Sequence, residues 1–271
     1  MKIISLQPNI SLILESLGCL DSLVGCTKYC LDAVPALRER RLALVHDSWS
    51  TKAEELLPIE ADLVLASIPY RQESLRAILK SGRPVLLLAP HTLKDVYQDI
   101  RLIASVAGAA ERGENLIAEM QTAIEGMRAR TTGMPDKPLV YCEEWGKPLI
   151  HSQLWVKELI EAAGGVFLGD PGTHTQPEVV AKANPDVILA AWCGAGDRVP
   201  LEKIVGQRGW EDLPAVRERR VWCIADEMLN TPGPNLIRGL QALAQVLHPD
   251  VFGSLPETSG RRIAPILPQS I

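Results

Sequence analysis

Residues 93–130 have the sequence LKDVYQDIRLIASVAGAAERGENLIAEMQTAIEGMRAR, which contains no proline. Apolar side chains recur in it at steps of three and four residues, the period of an amphipathic helix. The members of this pattern are Leu93, Val96, Ile100, Ile103, Ala107, Leu116, Met120, Ala123 and Met127. Gly108 suits the end of a first helix, so Ala110–Arg130 is predicted to form a second helix, roughly 30 Å long. A helix of that length can join two lobes.

On both sides of this stretch, short apolar runs alternate with segments of helical period. Residues 62–66 and 186–190 are apolar runs after an aspartate, as expected of strands buried on both faces of a parallel sheet. The predicted fold class is α/β, with two α/β lobes that have central, mainly parallel sheets and are joined by a single long backbone helix. The predicted division is an N-terminal lobe at 1–92, a helical connector at 93–132 and a C-terminal lobe at 133–271. A ligand cleft is expected between the lobes, because open α/β sheets bind ligands outside the carboxyl ends of their strands.

Composition excludes several classes of partner. The 271 residues carry a net charge of −5 and are 46% hydrophobic, so nucleic acid is not an expected partner. No apolar run approaches the roughly 18 residues of a membrane span, so no membrane insertion is expected. Met1 and Lys2 lead directly into a predicted strand, which predicts a cytoplasmic location as the sequence stands. A periplasmic or extracellular location is expected if the natural chain begins with a leader.

Large aromatic side chains follow several predicted strands. Trp49, Trp145 and Trp192 all fall in loops after strands, outside the periodic elements. An exposed indole offers a flat and rigid contact surface at low entropic cost, which suits a large, ring-rich ligand. The alternative for each tryptophan is a place in the packing of its lobe.

No motif in the sequence demands catalysis, so no catalytic residue, catalytic cofactor or protein-bound metal is predicted. The histidines at 46, 91, 151 and 174 include no pair at helix-face spacing, although His46 and His91 could reach a metal carried by a ligand. Glu143 and Glu144 follow a predicted strand, where adjacent side chains point to opposite sides, so they form a poor acid–base pair. Phosphate-binding loops and the G-x-S-x-G motif are both missing from the sequence.

Five segments carry a resemblance to a known family, in order along nearly the whole chain. They are Ile4–Asn9, Ala61–Ala66, the helical stretch 93–130, Asn184–Ile188 and Thr231–Pro234. Together they resemble the vitamin B12 (cobalamin)-binding proteins. These belong to the helical-backbone (class III) solute-binding proteins of ABC transporters, a class that also includes siderophore and haem binders.

The resemblance implies a non-enzymatic binding protein that holds a corrinoid between two lobes by aromatic side chains. The residues implied to bind the ligand are Pro8, Asn9, Tyr29, Trp49, Tyr70, His91, Glu144, Trp145, Trp192 and Met228. It also implies a permease partner that receives one surface glutamate from each lobe. Glu73 occupies the first such place, but the second falls on Asn230, with Glu227 three residues earlier, so the charge pair is incomplete. We expect a monomer.

Three alternatives remain open from the sequence. The protein could bind a ferric siderophore or haem, in which case Arg71 or Arg198 would contact an anionic chelate. It could be a cytoplasmic corrinoid carrier or sensor that needs no permease. It could also be a cytoplasmic metal-dependent or chelatase-like enzyme, which would require His46, His91 and glutamate side chains to converge.

Overall fold

The computed structural model describes residues 1–264, and these form two compact units. The first unit comprises residues 1–120 and 232–234, and the second comprises residues 121–231 together with the chain from Asn235 onward. The boundary between Met120 and Gln121 therefore lies inside the predicted helical stretch. The three-part division at 92/93 and 132/133, which treats that stretch as a separate connector, stays a prediction.

Strands and helices alternate along the first unit. In chain order they are β1 (Ile3–Ser5), α1 (Pro8–Ser16), β2 (Leu23–Thr27), α2 (Lys28–Ala33), β3 (Ala43–Val45), α3 (Ala53–Leu56), β4 (Leu63–Ser67), α4 (Gln72–Leu79), β5 (Val85–Leu88), α5 (Leu93–Val106) and α6 (Ala110–Thr131). Two 3-10 turns lie at Leu20–Ser22 and Pro35–Glu39. Helix α6 begins in the first unit and ends in the second.

The sheet of the first unit is entirely parallel, in the order β3-β2-β1-β4-β5. All five residues of β4 are buried, as its continuous apolar run predicts. Parallel strands place all their carboxyl ends on one edge. Because the chain moves from β1 to β2 and β3 on one side, and then crosses to β4 on the other side, the ends of β1 and β4 form a topological switch point. Open α/β sheets bind ligands at this position.

Helices α5 and α6 lie where the apolar period predicts them. The helix α5 begins at Leu93 because Thr92 and Asp95 form a capping box, in which each side chain accepts a hydrogen bond from the other residue's backbone N–H. It ends at Val106, and Gly108 follows with a φ of +68°, a left-handed conformation that suits glycine. At Gly113 in α6 a Cβ would lie 2.5 Å from the Cβ of Ala104, so this glycine lets α6 approach α5 closely.

The second unit contains a mixed sheet. Its remaining elements are β6 (Leu139–Gly146), β7 (Leu149–His151), α7 (Leu154–Ala162), β8 (Val166–Phe167), β9 (His174–Thr175), α8 (Pro177–Ala183), β10 (Val187–Ala190), α9 (Leu201–Arg208), α10 (Pro214–Arg217), β11 (Val221–Ile224), α11 (Asp226–Leu229), α12 (Leu236–Leu247), α13 (Pro249–Phe252) and β12 (Gly260–Arg262). The order is β12-β11-β10-β6-β7-β9, with β8 also paired to β6. Strands β6, β10 and β11 run parallel, whereas β7, β9 and β12 are antiparallel additions.

Strand β6 is longer than the sequence predicts. The apolar run 139–142 predicts a strand that ends before Glu143, but β6 continues to Gly146 and forms a hairpin with β7. Antiparallel pairing to β7 satisfies the backbone of these polar residues, so no apolar side chains are needed to extend the strand. The register shifts between Glu143 and Trp145, which makes Glu144 an extra residue in a β-bulge.

Candidate functional site

In the first unit, a predicted ligand residue follows each strand of the parallel sheet. Pro8 follows β1, Tyr29 follows β2, Trp49 follows β3, Tyr70 follows β4 and His91 follows β5. We call these five residues the first strand-end surface. Since all five strands are parallel, the surface lies along a single edge of the sheet and includes the switch point between β1 and β4.

Trp49 is the largest apolar group on this surface. Its side chain is 41% exposed, and the Arg71 guanidinium lies 4.4 Å from the centre of its ring. The Trp49 carbonyl accepts a hydrogen bond of 2.7 Å from Ser74 Oγ at the start of α4, which fixes the loop. The two exposed side chains therefore present a flat ring with a cation stacked against it.

Tyr29 and His91 are exposed as well, while Tyr70 is half-buried. Lys28 lies 4.9 Å from the centre of the Tyr29 ring. The backbone N–H of His91 donates to Asp95, which ties this loop to the start of α5. The second cation–π pair repeats the chemistry of the first, because each combines an exposed ring with an exposed cation.

Asn9 is placed differently from the other predicted ligand residues. Its side chain is buried, and Nδ2 donates to Ser67 Oγ at 3.2 Å. Gln7 Nε2 donates to the carbonyl of Pro69 at 3.4 Å. These bonds join the carboxyl ends of β1 and β4, so the structure gives Asn9 a supporting role beneath the surface.

His46 is exposed but already has a carboxylate partner. Its Nδ1 lies 2.9 Å from Glu55, and its backbone N–H donates to the same carboxylate. The pKa of Glu55 lies below its usual value although partial burial opposes this, because both groups of His46 stabilise the charged form. Among residues 1–264, no three His, Cys, Asp or Glu side chains are grouped so as to hold a metal ion.

In the second unit, the ends of β6 and β10 carry the predicted ligand residues Glu144, Trp145 and Trp192, which we call the second strand-end surface. Trp145 is 44% exposed, and its indole N–H donates to the carbonyl of Lys147 at 2.9 Å. Trp192 is half-buried and packs against the core of this unit. Met228 is buried in α11, so the structure does not bring it to the surface with the tryptophans.

The two adjacent glutamates of β6 have separate sets of partners, as their alternation predicts. Glu143 is fully buried and bonds Arg208, Tyr141 and Trp192. Glu144 is half-buried and accepts hydrogen bonds from Gln153 at 2.5 Å and from the Cys193 thiol at 3.5 Å. Burial raises the pKa of Glu144, against the lowering effect of these two donors.

The two predicted docking positions differ in exposure. Glu73 is exposed in the first turn of α4. Asn230 is half-buried, and its Nδ2 donates inward to the carbonyl of Ala191. Glu227, three residues earlier, is exposed. A carboxylate at position 230 would lose the hydrogen bond that this amide donates, so the asparagine suits an internal role.

The model for the periplasmic binding protein family matches residues 3–227. The chain belongs to this family. Its members are substrate-binding proteins of ABC transporters, which bind small molecules, dock with permeases and in general are not enzymes. The enzymatic alternative is therefore not supported.

Three relatives illustrate the similarity. The uncharacterized ABC transporter substrate-binding lipoprotein YvrC of Bacillus subtilis (strain 168) is 26% identical over 265 residues, which cover 93% of this chain and 81% of the relative. The apo form of the periplasmic heme-binding protein RhuT from Roseiflexus sp. RS-1 is 27% identical, with a TM-score of 0.78. The match covers 91% of this chain and 97% of RhuT. The periplasmic vitamin B12 binding protein BtuF of Vibrio cholerae is 21% identical, with a TM-score of 0.72 and coverage of 91% and 96%, a similarity that shows the fold alone.

The family corrects the predicted location. The expectation of a cytoplasmic protein is wrong, because the relatives include a lipoprotein and periplasmic proteins, which indicate a location outside the cytoplasm. A strand close to Met1 gives information about the fold of this segment but none about the compartment of the protein. None of the helices within residues 1–264 is long and apolar enough to cross a membrane.

Proposed function

We propose that this protein binds a corrinoid (vitamin B12-like) ligand through the aromatic side chains of its two strand-end surfaces. The observation that carries the proposal is the exposure of large rings at the carboxyl ends of strands in each unit. Trp49, Tyr29 and Trp145 are each exposed by about two-fifths, although rings of this size are usually more buried. Exposed rings that follow strand ends suit stacking on a large macrocycle.

A corrinoid fits the polar groups that accompany these rings. Its rim carries neutral amides, which can exchange hydrogen bonds with half-buried groups such as the Glu144 carboxyl. The Glu144 carboxylate accepts hydrogen bonds, so it can receive one from an amide N–H of the rim. Cobalt in such a ligand carries its own axial base, so no protein ligand to the metal is required.

Haem is the second candidate, because a specific feature of the first unit favours it. The Arg71 guanidinium beside Trp49 can bind a propionate carboxylate while the indole packs on the ring. The exposed His91 offers an imidazole to the iron. The similarity to the heme-binding protein RhuT supports this candidate. A ferric siderophore is the third, with Arg71 or the exposed Arg198 as the contact to its anionic groups.

One titration separates these candidates. Purified protein is titrated with cyanocobalamin, haemin and a ferric catecholate while tryptophan fluorescence and heat are recorded. Cyanocobalamin is expected to quench the exposed indoles and to bind more tightly than the other two. Tighter binding of haemin, with a loss of that preference in Arg71→Gln, would select the haem candidate. No heat and no quenching with any of the three would refute the proposal.

Variants test which rings form the contact. Trp49→Ala and Trp145→Ala are each expected to weaken binding about tenfold, since each removes a large stacking surface worth about 1–2 kcal/mol. Trp222→Phe is the control, because Trp222 is half-buried near the amino end of β11, whereas the second strand-end surface lies at carboxyl ends, and its ring stacks on Arg262. Unchanged affinity in both alanine variants would show that these rings have a structural role.

The proposed partner is the permease of an ABC transporter, consistent with the family. Glu73 is the proposed docking residue on the first unit, because it is exposed on α4 and is not one of the five residues of the first strand-end surface. The exposed Glu227 is the acidic side chain of the second unit nearest in sequence to the expected position at Asn230.

A further inference from the structure

The Trp192 ring has two contacts with strand β6. Its Nε1–H donates to Glu143 Oε1 at 2.7 Å. A Cβ built at Gly146 would lie 2.2 Å from Cζ2 and 2.6 Å from Cη2 of the indole, in the six-membered ring next to the N–H. The ring therefore lies directly against the backbone of β6, in a space that only glycine leaves open. The hydrogen bond sets the direction of the N–H and the backbone of β6 blocks movement of the six-membered ring towards Gly146, so the two contacts together restrict the orientation of the side chain.

Glu143 is itself fixed by a buried network. Arg208 donates two hydrogen bonds to its carboxylate, at 2.8 and 3.1 Å, and Tyr141 donates a third at 2.8 Å. The Glu143 and Arg208 side chains are 0% and 7% exposed. The Arg208 guanidinium also lies 4.7 Å from the centre of the Trp210 ring. Every acceptor oxygen of Glu143 thus has a defined donor.

This network is more than the packing of one indole requires. A buried ion pair often contributes no more to stability than apolar side chains of similar volume, because both charges lose their hydration. Its effect is directional, since a bidentate guanidinium fixes the plane of the carboxylate and thereby the direction from which the indole N–H can approach. A required orientation of the Trp192 ring would explain why the protein buries the Glu143–Arg208 ion pair despite the lost hydration of both charges.

We infer that Glu143, Arg208 and Gly146 are positioning residues that hold the Trp192 indole in one orientation on the second strand-end surface. The inference rests on the proposed function for its consequence, which is that a ring fixed before binding loses less side-chain entropy when the ligand arrives. Release of the ring should therefore weaken binding although none of the three positioning residues contacts the ligand.

The first test is Gly146→Ala. The backbone at Gly146 is not in the left-handed region, so alanine fits it, but the added methyl occupies the place of the indole and the ring must move. Gly126→Ala in α6 is the matched control, because a Cβ there meets nothing within 4 Å. Protein labelled with 5-fluorotryptophan gives a fluorine resonance for each of six tryptophans, and Trp192→Phe assigns the one at 192.

In Gly146→Ala the Trp192 resonance is expected to shift by more than its linewidth, and the affinity for the probe that binds wild-type protein best should fall about tenfold. Gly126→Ala should change neither quantity. An unmoved Trp192 resonance in Gly146→Ala would overturn the inference. So would a moved resonance with unchanged affinity for cyanocobalamin and haemin.

The second test removes the two charges together. In the double variant Glu143→Gln, Arg208→Met, the amide oxygen at 143 can still accept from the indole, but nothing fixes its plane. The Trp192 resonance is expected to broaden and the affinity to fall about fivefold. The matched control is Glu202→Gln, Arg261→Met, since this bidentate pair lies half-exposed in the same unit.

The two proposals can fail separately. If neither cyanocobalamin, haemin nor the ferric catecholate binds wild-type protein, the proposed function fails, while the fluorine resonance still decides whether Trp192 is held. A Trp192 resonance as sharp in the double variant as in wild type would overturn the role of the ion pair, whichever ligand binds. Far-ultraviolet circular dichroism confirms that each variant is folded before it is compared.

Discussion

Asp99 gives the sharpest test of the energetics of the fold, because it is a buried acid without a cation beside it. The side chain lies on α5, is 6% exposed, and its Oδ2 has no hydrogen-bond partner in the described chain. Burial raises the pKa of Asp99 to about 7, and the negative charge of Asp95, one turn earlier, adds to the rise. Asp99→Asn keeps the shape of the side chain and removes the titration.

The sign and size of the effect follow from linkage. In the unfolded chain the pKa is 3.8, so the folded protein binds the extra proton between pH 4 and about 7. The folded-state pKa is raised, so the stabilising contribution is complete below pH 4 and is lost as pH rises through about 7. A rise of about three pH units, at about 1.4 kcal/mol each, makes the charged form cost about 4 kcal/mol at high pH. A buried amide without a full set of partners costs roughly 2 kcal/mol, so the variant should gain roughly 2 kcal/mol at pH 9.

The assay is urea unfolding of both proteins at pH 5, 6, 7, 8 and 9, followed by circular dichroism. Wild type is expected to be slightly the more stable protein at pH 5 and Asp99→Asn the more stable at pH 9. The difference should change sign between pH 5 and 6, where the cost of ionising Asp99 passes about 2 kcal/mol, and should be nearly constant above pH 7. Glu119→Gln, at an exposed acid of α6, is the control and should differ from wild type by a constant amount. A difference between wild type and Asp99→Asn that is the same at every pH would refute the reasoning.

Three further predictions concern single side chains. Arg83 donates to five backbone carbonyls between residues 56 and 81, so Arg83→Met should lower the free energy of unfolding by roughly 3 kcal/mol, measured in urea at pH 7. The hydrogen bond from Arg261 lowers the pKa of Glu202 to about 2. Glu202→Gln should therefore lower the free energy of unfolding by about 1 kcal/mol above pH 5, a figure reduced because the pair is half-exposed, and should have no effect near pH 2. Unfolding measured across this pH range tests the prediction. Glu73→Ala should leave the affinity for cyanocobalamin or haemin within twofold of wild type by calorimetry, and a larger loss would place Glu73 in the ligand site.

The periodicity of the sequence was sufficient to predict the fold, because each of its signals is local. The apolar period and Gly108 predict α5 and α6, and buried apolar runs predict β4 and β10. The hairpin between β6 and β7 escaped prediction because its strand carries polar residues whose partners lie on another segment. Places after strands or at the end of apolar runs also predict the exposure of Trp49 and Trp145, whereas Trp192, which follows β10, is half-buried against the core.

The supports beneath the candidate site could not be predicted from sequence. Arg208 lies 65 residues from Glu143 and sits in an ordinary helical pattern, so no spacing rule connects them. Gly146 resembles any turn glycine until the Trp192 ring is seen against it. The resemblance implies that Asn9 and Met228 contact the ligand, but both side chains are buried in their own units, and Asn9 donates to Ser67. Contacts distant in sequence set these details.

The two units expose their tryptophans under different constraints, and the difference bears on ligand choice. The Trp49 ring stacks on the exposed Arg71, and an exposed cation–π contact contributes about 0.5–1 kcal/mol, so these two side chains can rearrange around different ligand rims. Trp192 is restrained by a buried carboxylate and by the backbone, and neither can move without breaking the core of its unit. Discrimination between a neutral and an anionic macrocycle is therefore expected to depend on the Trp49–Arg71 pair, which carries a charge, whereas the Trp192 ring would present the same orientation to each.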